Sequence, residues 1–598
     1  MYRPARSQDN LTVHGSRTSW ISSTGSHSLQ ASTIAIELSD IRTGAMIIYT
    51  PNYLPFPIPS TNLYTQLFRD HDKFDPASPA FIKNASRISL TRKEVEDLTL
   101  SLAYGVRRVL GLCMTPANTA YAPSGLAHQL KDSGAYYVFV HPTLLPVVVE
   151  TLAHLGASPA EIKERVVIMA LEREAEATTA EVDAGGWIQL EDLLNKGSLG
   201  REEPFDSAQA EETVTLCYSS GTTGLSKGVM TTHRNFNSQI LATCISFPPV
   251  HAKRDAVIGV LPFYHIYGLA MLVLFPFSVG VPLVICPRFD LALFCSGIQK
   301  YKITAALVVP PMMLALINSP APLTYDLSSL RIIMSGGAPL AKALGINLDK
   351  RLQSMGAKAD IIQGYGLTKT SPGVTMLRAE QAMSKMGSVG ELAPNMVARL
   401  VDDDGVDVKP GQPGELWRVL EQPYGDGERH HTHGWFETGD IAERDDDGCF
   451  MIVDRKKELI KYKAFQVPPA DLEAVLLMHP EVGDVGVIGI ESEDRTTELP
   501  RSQKGYVEAY SRMFLRVCNA YIVPKSGYAS LPTQKEREKF ALEIQKWIEG
   551  KVARHKYLRG GVVVIEAIPK SAAGTTLRRQ LRDLAKEEVR LQSAKAKL

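Results

Sequence analysis

The middle of the chain alternates between two kinds of hydrophobic pattern. Short runs rich in β-branched residues are each followed by a stretch with helical, amphipathic spacing; the runs are TVTLCYS, AVIGVLPF, PLVICP, AALVVP and LRIIMSGG. Strands that alternate with helices in this way predict an α/β fold of stacked βαβ units with mostly parallel sheets. Ligands bind at the carboxyl ends of such strands, so the loops that follow them are the first places to look for chemistry.

The run IIMSGGAPLAKALGINLDKRL contains one such strand end. A buried strand ends in Gly336 and Gly337, and we predict that Pro339 begins the next helix, because proline is favoured in the first helical turn. The two glycines then lie at the carboxyl end of a parallel strand, where a ligand would bind.

One uncharged run, residues 266–286, is nominally long enough to span a membrane. Pro276, Gly280 and Pro282 divide it into a short apolar helix and the β-branched strand VPLVIC. We therefore predict a buried helix and strand, and no membrane span.

The two ends of the chain have other patterns. Residues 1–45 are rich in Ser, Thr and Arg without apolar periodicity, which predicts a disordered leader. A mitochondrial presequence is the alternative, because the arginines there meet few acids. Beyond residue 395, Asp-Gly pairs in LVDDDGVDV and ERDDDGCFMIV predict hairpin turns. We expect these aspartates to be solvated turn residues, with no metal site.

Composition and charge limit the class of partner. The chain has 598 residues, of which 44% are hydrophobic and 22% charged, enough for a large core and more than one domain. Lys plus Arg and Asp plus Glu are both 65, so no basic excess indicates a nucleic-acid partner, and an anionic ligand must be bound locally. The seven cysteines form no C-x-x-C pair or zinc-like spacing, which indicates a reducing compartment.

The segment TLCYSSGTTGLSKGVMTTHRN, residues 215–235, carries the strongest chemical signal. A strand leads into six consecutive small or hydroxyl residues and then into Lys227. Backbone N–H groups and hydroxyls of such a loop can surround phosphates, and the lysine supplies charge. The spacing is not that of a Walker loop, and a flexible linker is the alternative interpretation. The predicted phosphate-binding residues are Ser219, Ser220, Gly221, Thr222, Thr223, Gly224 and Lys227.

Seven motifs together indicate a family. They are YSSGTTGLSKGV, LPFYHIYGL, SGGAPL, QGYGLT, GWFETGD, DRKKELIKYKAFQVPPADLE and IPKSAAG. In order and approximate spacing they resemble the motifs of the adenylate-forming acyl-CoA synthetases, in particular the 4-coumarate:CoA ligases and their fungal and peroxisomal relatives. The resemblance covers nearly all of residues 55–585.

The resemblance implies an α/β fold with a large N-terminal domain of βαβ sheets plus a small β-barrel, a hinge, and a small, mobile α+β C-terminal domain. The corresponding bounds are 46–453, 454–457 and 458–598, with an insertion at 502–519. Such enzymes join a carboxylate to ATP, release pyrophosphate to leave an acyl-AMP, and then rotate the C-terminal domain so that coenzyme A attacks. The implied cofactors are ATP, coenzyme A and Mg²⁺, and the implied substrate is a small-molecule carboxylic acid.

Each motif residue has an implied role. The glycine-rich segment after the buried strand lines the adenine, Tyr365 stacks on the base, and Asp440 and Arg455 bind the ribose, as suits a carboxylate facing a diol. Lys457 occupies the hinge position. The implied catalytic residues are His265, Thr368, Lys461, Gln466 and Thr575. Beyond the phosphate loop, the implied nucleotide- and coenzyme-A-binding residues are Gly336, Gly337, Ala338, Pro339, Gly364, Tyr365, Gly366, Asp440, Arg455, Lys463 and Ala464.

The histidines have two interpretations. In an unknown protein His265, amid aromatic residues, would be a core histidine with a satisfied hydrogen bond. The resemblance instead implies that it lies beside the acyl carboxylate and gates the pocket, and we adopt that role. His430, His431 and His433 lie in a polar loop that needs no metal to explain it.

Several positions depart from the family pattern. The family has a glutamate that helps to hold Mg²⁺ where this chain has Lys369, and a lysine that bridges the carboxylate and α-phosphate where this chain has Thr575. Lys570 does not replace that lysine, since the family carries it in addition. Ala464 stands where the family usually has a glycine beside the pantetheine path, and its methyl group could crowd the thiol.

The chain also departs in architecture. Between VRRVLGL and CMTPANTAYAP the family would have about 30 residues or more, roughly one βαβ unit, and here the two ends abut. A lost strand would leave its neighbours unpaired, which is costly in a buried parallel sheet. Divergence under relaxed constraint and wrong translation boundaries are both open as explanations.

Three functional hypotheses follow. The first is an acyl-CoA ligase for an aryl or medium-chain acid, with a role in secondary metabolism; the pocket walls are expected near Tyr264, His265, Tyr267, Met312 and Gln363. The second is a catalytically impaired relative that binds a nucleotide or acyl-adenylate. The third is an enzyme of the thioester-forming half-reaction only. From the two substituted charges we expect acyl-adenylate formation to be slow and transfer from a supplied acyl-AMP to coenzyme A to be less affected.

The last three residues, Ala596, Lys597 and Leu598, resemble a peroxisomal address. The alternative is the frayed end of a solvated helix, since LRDLAKEEVRLQSAKAKL has alternating charge. We expect a peroxisomal location, with the peroxisomal import receptor as partner, and a cytoplasmic one if the address is not read.

Overall fold

The computed structural model describes residues 46–68, 73–86, 88–106, 113–169, 186–219, 226–420, 431–432, 435–462, 465–491, 516–570 and 574–595. The predicted leader and the C-terminal tripeptide lie outside these ranges. The chain from Ile47 to Leu598 forms one compact unit, and every sheet belongs to it.

The strands are β1 Pro79–Lys83, β2 Ser89–Thr91, β3 Val138–Val140, β4 Val166–Ile168, β5 Ile188–Gln189, β6 Thr213–Ser219, β7 Lys227–Thr232, β8 Val257–Gly259, β9 Leu283–Ile285, β10 Ala305–Val308, β11 Ile332–Ser335, β12 Asp360–Gly366, β13 Gly373–Met376, β14 Glu391–Leu392, β15 Met396–Val401, β16 Gly414–Leu420, β17 His431–Thr432, β18 Trp435–Arg444, β19 Phe450–Arg455, β20 Ile460–Tyr462, β21 Phe465–Val467, β22 Val482–Glu491, β23 Arg516–Pro524 and β24 Gly561–Val564.

The α-helices are Leu63–Phe68, Arg92–Val106, Pro123–Ser133, Leu145–His154, Pro159–Arg165, Leu190–Leu194, His233–Ser246, Ile266–Gly268, Phe275–Ser278, Leu291–Tyr301, Pro310–Asn318, Lys342–Ser354, Pro469–Leu476, Gln534–Glu549 and Arg578–Lys595.

The main sheet has nine strands in the order β14-β13-β12-β11-β10-β8-β9-β1-β2. The six strands from β12 to β1 run parallel, and the strands at both edges are antiparallel. The runs AVIGVLPF, PLVICP, AALVVP and LRIIMSGG contain β8 to β11, whose side chains are almost all buried. The predicted α/β fold is therefore confirmed.

The helix after β11 begins later than predicted. It starts at Lys342, because Ala341 still has an extended backbone, with φ −62° and ψ 134°. Gly337 has a φ of +76°, which lets the chain turn sharply after the strand. Pro339 therefore lies in the connecting loop and does not begin the helix, and the loop at this strand end is longer than the sequence indicated.

The apolar run 266–286 folds as predicted into a helix and a strand. The helix is α-helical over Ile266–Gly268, π-helical over Leu269–Leu274 and α-helical again over Phe275–Ser278, and β9 follows in the main sheet. In the described part of the chain, no helix is both long enough and apolar enough to cross a membrane.

The run TVTLCYS forms β6, but in a hairpin with β7 that is separate from the main sheet. Met114, just after the junction where the family would have a further βαβ unit, pairs in parallel with Thr215 of this hairpin. The Met114 N–H donates to the Val214 carbonyl at 3.0 Å, and the Leu216 N–H donates to the Met114 carbonyl at 2.8 Å. The outer edge of β6 is thus paired at this point. A three-stranded parallel sheet, β3-β4-β5, stands apart.

The described residues after β14 form three sheets, of five, two and three strands. Strands β15 to β19 form a five-stranded sheet, in the region predicted as a small β-barrel, and its turns contain the predicted Asp-Gly pairs. The aspartates of the second turn, Asp445 and Asp447, form ion pairs with Lys385 from outside the turn, and the distance to Asp445 is 2.9 Å. Among the described residues, no group of three or more His, Cys, Asp or Glu could hold a metal ion.

The C-terminal part contains a three-stranded sheet, β22-β23-β24, covered by helices. Its central strand begins at Arg516, so the last four residues of the predicted insertion, 516–519, belong to the sheet. Cys518 and Asn519 are buried there. Residues 502–515 of the insertion lie outside the described residues.

Candidate nucleotide and acyl site

The predicted site residues meet at the carboxyl ends of neighbouring parallel strands. Val308, Ser335 and Gln363 are register partners on β10, β11 and β12, so the loops that follow these strands begin side by side. The loop after β11 contains Gly336 to Pro339, and β12 ends with Gly364 to Gly366. Two separate motifs are thus brought together by strand pairing alone.

Glycines in these loops permit close approach. A Cβ added at Gly336 would lie 2.9 Å from Cζ of Tyr267, and one added at Gly364 would lie 2.5 Å from Cε of Met334. At Gly366 it would collide with the carbonyl oxygen of Pro372. Gly366 therefore requires glycine, because its close neighbour is backbone, whereas at Gly336 and Gly364 a larger residue would displace a neighbouring side chain.

The strongest side-chain group consists of Tyr365, Asp440 and Arg455. The Tyr365 hydroxyl donates to Oδ2 of Asp440 at 2.6 Å, and Nε of Arg455 lies 3.4 Å from Oδ1 of the same carboxylate. Asp440 is buried at a place where β18 shifts register against β16, beside Gly439 with a φ of +74°. The group offers a buried carboxylate acceptor next to a guanidinium donor, which suits a sugar that carries a phosphate.

Burial controls the ionisation of this group. It raises the pKa of Asp440 above its usual value, although Arg455 and the Tyr365 hydrogen bond oppose the shift. Burial also raises the pKa of Tyr365 well above its usual value, and the neighbouring carboxylate adds to that effect. Tyr365 therefore remains a hydrogen-bond donor at neutral pH.

A short 3-10 turn, Thr368–Thr370, follows β12 and contacts both strands of the β6–β7 hairpin. Its backbone is held by the Thr370 hydroxyl, which accepts a hydrogen bond from the Leu367 N–H at 2.8 Å. Nζ of Lys369 lies 5.6 Å from the centre of the Phe436 ring, in a cation–π arrangement. The turn therefore lies beside the β6–β7 hairpin, called the phosphate-loop hairpin below, while its ammonium group contacts β18.

The ends of the phosphate loop are positioned by the helix Pro123–Ser133. Ser219 and Lys227 are cross-strand partners at the end of the hairpin. His128 Nε2 lies 2.9 Å from the Ser226 carbonyl oxygen, and the Tyr218 hydroxyl donates to Oδ2 of Asp132 at 2.5 Å. Ser220, Gly221, Thr222, Thr223 and Gly224 lie outside the described residues.

Sequence reasoning missed His128 and Asp132. The only signal was their i,i+4 spacing, which places them on one face of a helix in PSGLAHQLKDS.

Residues 574–577, called the C-terminal tail below, reach this site. The Thr575 hydroxyl donates to the carbonyl oxygen of Gly337 at 2.7 Å, across 238 positions of sequence. A Cβ added at Gly574 would lie 3.1 Å from Cγ2 of Val309, so the tail lies directly on the strand-end loops. Nζ of Lys570, in contrast, forms an ion pair with Asp484 of β22 at 2.6 Å. Lys570 is thus held on the C-terminal sheet.

His265 lies at the start of the apolar helix. Its Nδ1 accepts a hydrogen bond from the Tyr267 N–H at 3.2 Å, so it caps that helix. Burial lowers its pKa, which favours the neutral imidazole. Three buried polar atoms nearby, the Tyr267 hydroxyl, Ser335 Oγ and Gln363 Nε2, have no hydrogen-bond partner among the described residues. A bound ligand could satisfy them.

More than half of the chain matches a known family. Residues 99–419 match the family described as AMP-binding enzyme. The chain belongs to the AMP-binding enzyme family. It is 33% identical over 493 residues to a probable 4-coumarate–CoA ligase 1 of Dictyostelium discoideum, covering 79% of this chain and 82% of that protein. It is 31% identical over 560 residues to 4-coumarate–CoA ligase 2 of Solanum tuberosum, covering 90% and 94%.

Solved structures share the fold. The anthranilate CoA ligase AuaEII in complex with anthranoyl-AMP superimposes with a TM-score of 0.72, at 21% identity, over 89% of this chain and 99% of that one. An O-succinylbenzoate coenzyme A synthetase of Bacillus subtilis, in complex with ATP and a magnesium ion, gives a TM-score of 0.64 at 21% identity, over 86% and 99%. The predicted family and its α/β fold are therefore confirmed, and the predicted domain bounds and hinge stay predictions.

Among the residues that the structure describes near the phosphate-loop hairpin of this AMP-binding enzyme, the donor set does not fit a protein-held Mg²⁺. Mg²⁺ prefers carboxylate and other oxygen ligands. The turn Thr368–Thr370 presents the Thr368 hydroxyl and the ammonium group of Lys369, which repels a cation, while the buried Thr370 hydroxyl is bonded to backbone atoms. The glycine loops and the Tyr365–Asp440–Arg455 group do fit a nucleotide.

Some predicted residues of this AMP-binding enzyme are described only in part. Lys461 and Gln466 are backbone partners on the hairpin β20–β21, and Lys457 is exposed in the turn after β19. Lys463 and Ala464 lie outside the described residues, as do His430 and His433. The roles predicted for all the site residues stay predictions.

Proposed function

We propose that the protein is an ATP-dependent acyl-CoA ligase, which activates a carboxylic acid as an acyl-AMP and transfers the acyl group to coenzyme A. The observation that carries the proposal is the Tyr365–Asp440–Arg455 group, which offers ribose-binding chemistry directly beside the glycine loop after β11. Family membership and the names of the curated relatives support the same activity.

In this mechanism the chain supplies binding and orientation. The glycine loop accommodates the adenine against backbone, and Asp440 accepts hydrogen bonds from the ribose while Arg455 balances its charge. The neutral His265 lies at the entrance of the acyl pocket, where it orients the carboxylate without adding a positive charge. The carboxylate oxygen attacks the α-phosphorus, the bond to the pyrophosphate oxygen breaks, and pyrophosphate leaves. The coenzyme A thiolate later attacks the acyl carbon and AMP leaves.

Thr575 makes the first half-reaction slow. Negative charge grows on the α-phosphoryl oxygens in the transition state, and a fixed cation there would act mainly on that state. The Thr575 hydroxyl is neutral, and here it donates to Gly337. Loss of one such stabilising group costs about 10²- to 10³-fold in rate. We expect transfer from a supplied acyl-AMP to coenzyme A to be less affected.

The acid is an aryl or medium-chain acid. The Tyr267 ring lies against Gly336, and Met312 and Met313 lie in the helix that follows β10. The unsatisfied Tyr267, Ser335 and Gln363 atoms favour an acid that carries a polar substituent over a plain alkyl chain. The product thioester would supply a pathway of secondary metabolism.

The test measures both half-reactions. Acid-dependent pyrophosphate release is measured with cinnamic, benzoic, medium-chain and acetic acids, and thioester formation is measured from supplied acyl-AMP and coenzyme A. We expect slow pyrophosphate release with the larger acids and faster thioester formation. Thioester formation alone would favour the half-reaction enzyme. Nucleotide binding without either reaction would favour the impaired binding relative.

We propose a peroxisomal location on the basis of Ala596, Lys597 and Leu598. A fluorescent protein fused to the N-terminus should give peroxisomal puncta, because the import receptor reads the free C-terminal tripeptide. Deletion of the three residues should disperse the signal. Diffuse fluorescence from both fusions would contradict the proposal.

A further inference from the structure

We propose that Lys369 is the fixed cation of the phosphate site, and that the protein binds the β- and γ-phosphates of ATP through this ammonium group without a protein-held divalent ion. The inference deepens the proposed function, because it assumes that ATP is the nucleotide. It concerns the binding of triphosphate and is separate from the rate of adenylation.

The position of Lys369 carries the first step. Tyr365 and Lys369 lie four residues apart around the end of β12, and they contact Asp440 and Phe436, which lie four residues apart on β18. The ammonium is therefore held beside the same strand as the ribose-side carboxylate. The turn that bears it contacts the β6–β7 hairpin, whose ends are Ser219 and Lys227. The backbone of Lys369 thus lies near the phosphate-loop hairpin, and its ammonium group lies near β18, which also bears Asp440.

The buried carboxylates of β14, β16 and β18 carry the second step, because each is already paired with a cation. Glu391 pairs with Arg378 at 2.7 Å, Glu415 with Lys456 at 2.8 Å, and Asp440 with Arg455 at 3.4 Å. A divalent ion would have to displace one of these cations and approach Lys369. Because these carboxylates are paired, the positive charge of Lys369 favours an anion over a divalent cation.

The chemistry of the group carries the third step. An ammonium has three donors and acts as a compact point charge, which suits phosphate oxygens. The Phe436 ring and the hydrogen-bonded turn limit the positions of the Lys369 ammonium group, so its charge does not depend on where the segment around Thr575 lies. ATP should therefore bind with little dependence on Mg²⁺, and AMP, which lacks the β- and γ-phosphates, should not depend on Lys369.

Calorimetric titration of ATP and of AMP tests this, in excess Mg²⁺ and in EDTA, on the full chain. We expect native ATP affinity to differ less than threefold between the two conditions. Lys369→Met should weaken ATP binding in EDTA by about tenfold, with AMP unchanged. Lys369→Glu should weaken it further in EDTA and recover in Mg²⁺, because a carboxylate can hold the metal. Lys350→Met, at an exposed position on the helix Lys342–Ser354, is the matched control and should match the native chain.

Two outcomes would each overturn this inference and leave the proposed function standing. One is a native ATP affinity that falls more than tenfold in EDTA while AMP still binds. The other is a Lys369→Met variant that binds ATP as tightly as the native chain does in EDTA. Failure of the native chain to bind either nucleotide would overturn the proposed function and this inference with it. Thermal unfolding of each variant shows whether it is folded, and Lys369→Glu, with its expected recovery in Mg²⁺, provides an independent reading if Lys369→Met is unstable.

Discussion

The ribose corner and the tail corner of the site are built in different ways. The ribose corner consists of Tyr365, Asp440 and Arg455, which are paired with one another around a buried carboxylate. The tail corner has a neutral hydroxyl, Thr575, on the backbone carbonyl of Gly337. The comparison shows that the ribose corner holds its charged groups together around a buried carboxylate, whereas the tail meets the strand-end loop through one neutral hydrogen bond.

The largest expected effect concerns the anchor of the tail. Arg578, three residues after Thr575, is buried between Glu458 and Glu473, with Nη2 at 2.7 Å from the latter. Arg578→Met should lower the free energy of unfolding by about 3–5 kcal/mol, because it leaves two half-buried carboxylates without their cation. Chemical denaturation measures this. Arg579→Met, at the exposed neighbouring position, is the control, and equal loss in both variants would contradict the buried-anchor account.

The second-largest effect is expected from a substitution in the ribose corner. Asp440→Ala should weaken AMP binding and slow acyl-AMP formation by about 10²- to 10³-fold, because the ribose loses its charged acceptor. Asp440→Asn keeps an oxygen that can accept the Tyr365 hydrogen bond and should lose less. Titration with AMP and pyrophosphate release are the two measurements. AMP affinity unchanged in Asp440→Ala would remove the ribose assignment.

A smaller gain is expected in the tail corner. Thr575→Lys should raise the rate of acyl-AMP formation about 10- to 100-fold, because a cation then faces the α-phosphate. Addition of Lys369→Glu should raise it further in Mg²⁺ and make it dependent on Mg²⁺. Pyrophosphate release in single turnovers measures both. Thr575→Val controls for loss of the hydrogen bond to Gly337 and should leave the rate within threefold of the native rate. A native chain that matches the double variant would refute the argument.

The smallest effect is a pH dependence at the acyl pocket. The folded pKa of His265 lies below its unfolded value, so the unfolded state takes up this proton first as the pH falls. Stability from this residue is complete above pH 6.5 and decreases as the pH falls through the unfolded pKa. The slope is at most about 1.4 kcal/mol per pH unit for one proton.

Urea denaturation between about pH 7.5 and 5.5 measures that slope. His265→Asn should reduce it while retaining a side chain that caps the helix. An unchanged slope in the variant would assign the pH dependence to other groups, such as His233, whose pKa burial also lowers.

Much of this site could be predicted from the sequence. Local patterns located β8 to β11, the split apolar run and the Asp-Gly turns, because periodicity and turn chemistry depend only on near neighbours. The family resemblance indicated Tyr365, Asp440 and Arg455 as nucleotide-binding residues, but it did not indicate the hydrogen bond between Tyr365 and Asp440. The helix start at Lys342 was missed, because the preference of proline for a first turn does not reveal that the backbone is still extended at Ala341.

The sequence by itself determined the order of strands and helices, the family and the identity of the chemical groups. Only the tertiary structure decided which groups meet: Thr575 with Gly337, His128 with Ser226, and Lys369 with Phe436. The physical reason is distance along the chain. Such contacts join residues that are tens to hundreds of positions apart, and they form because parallel strands end at one edge and helices pack against them. The position of each charge at the phosphate site follows from that packing.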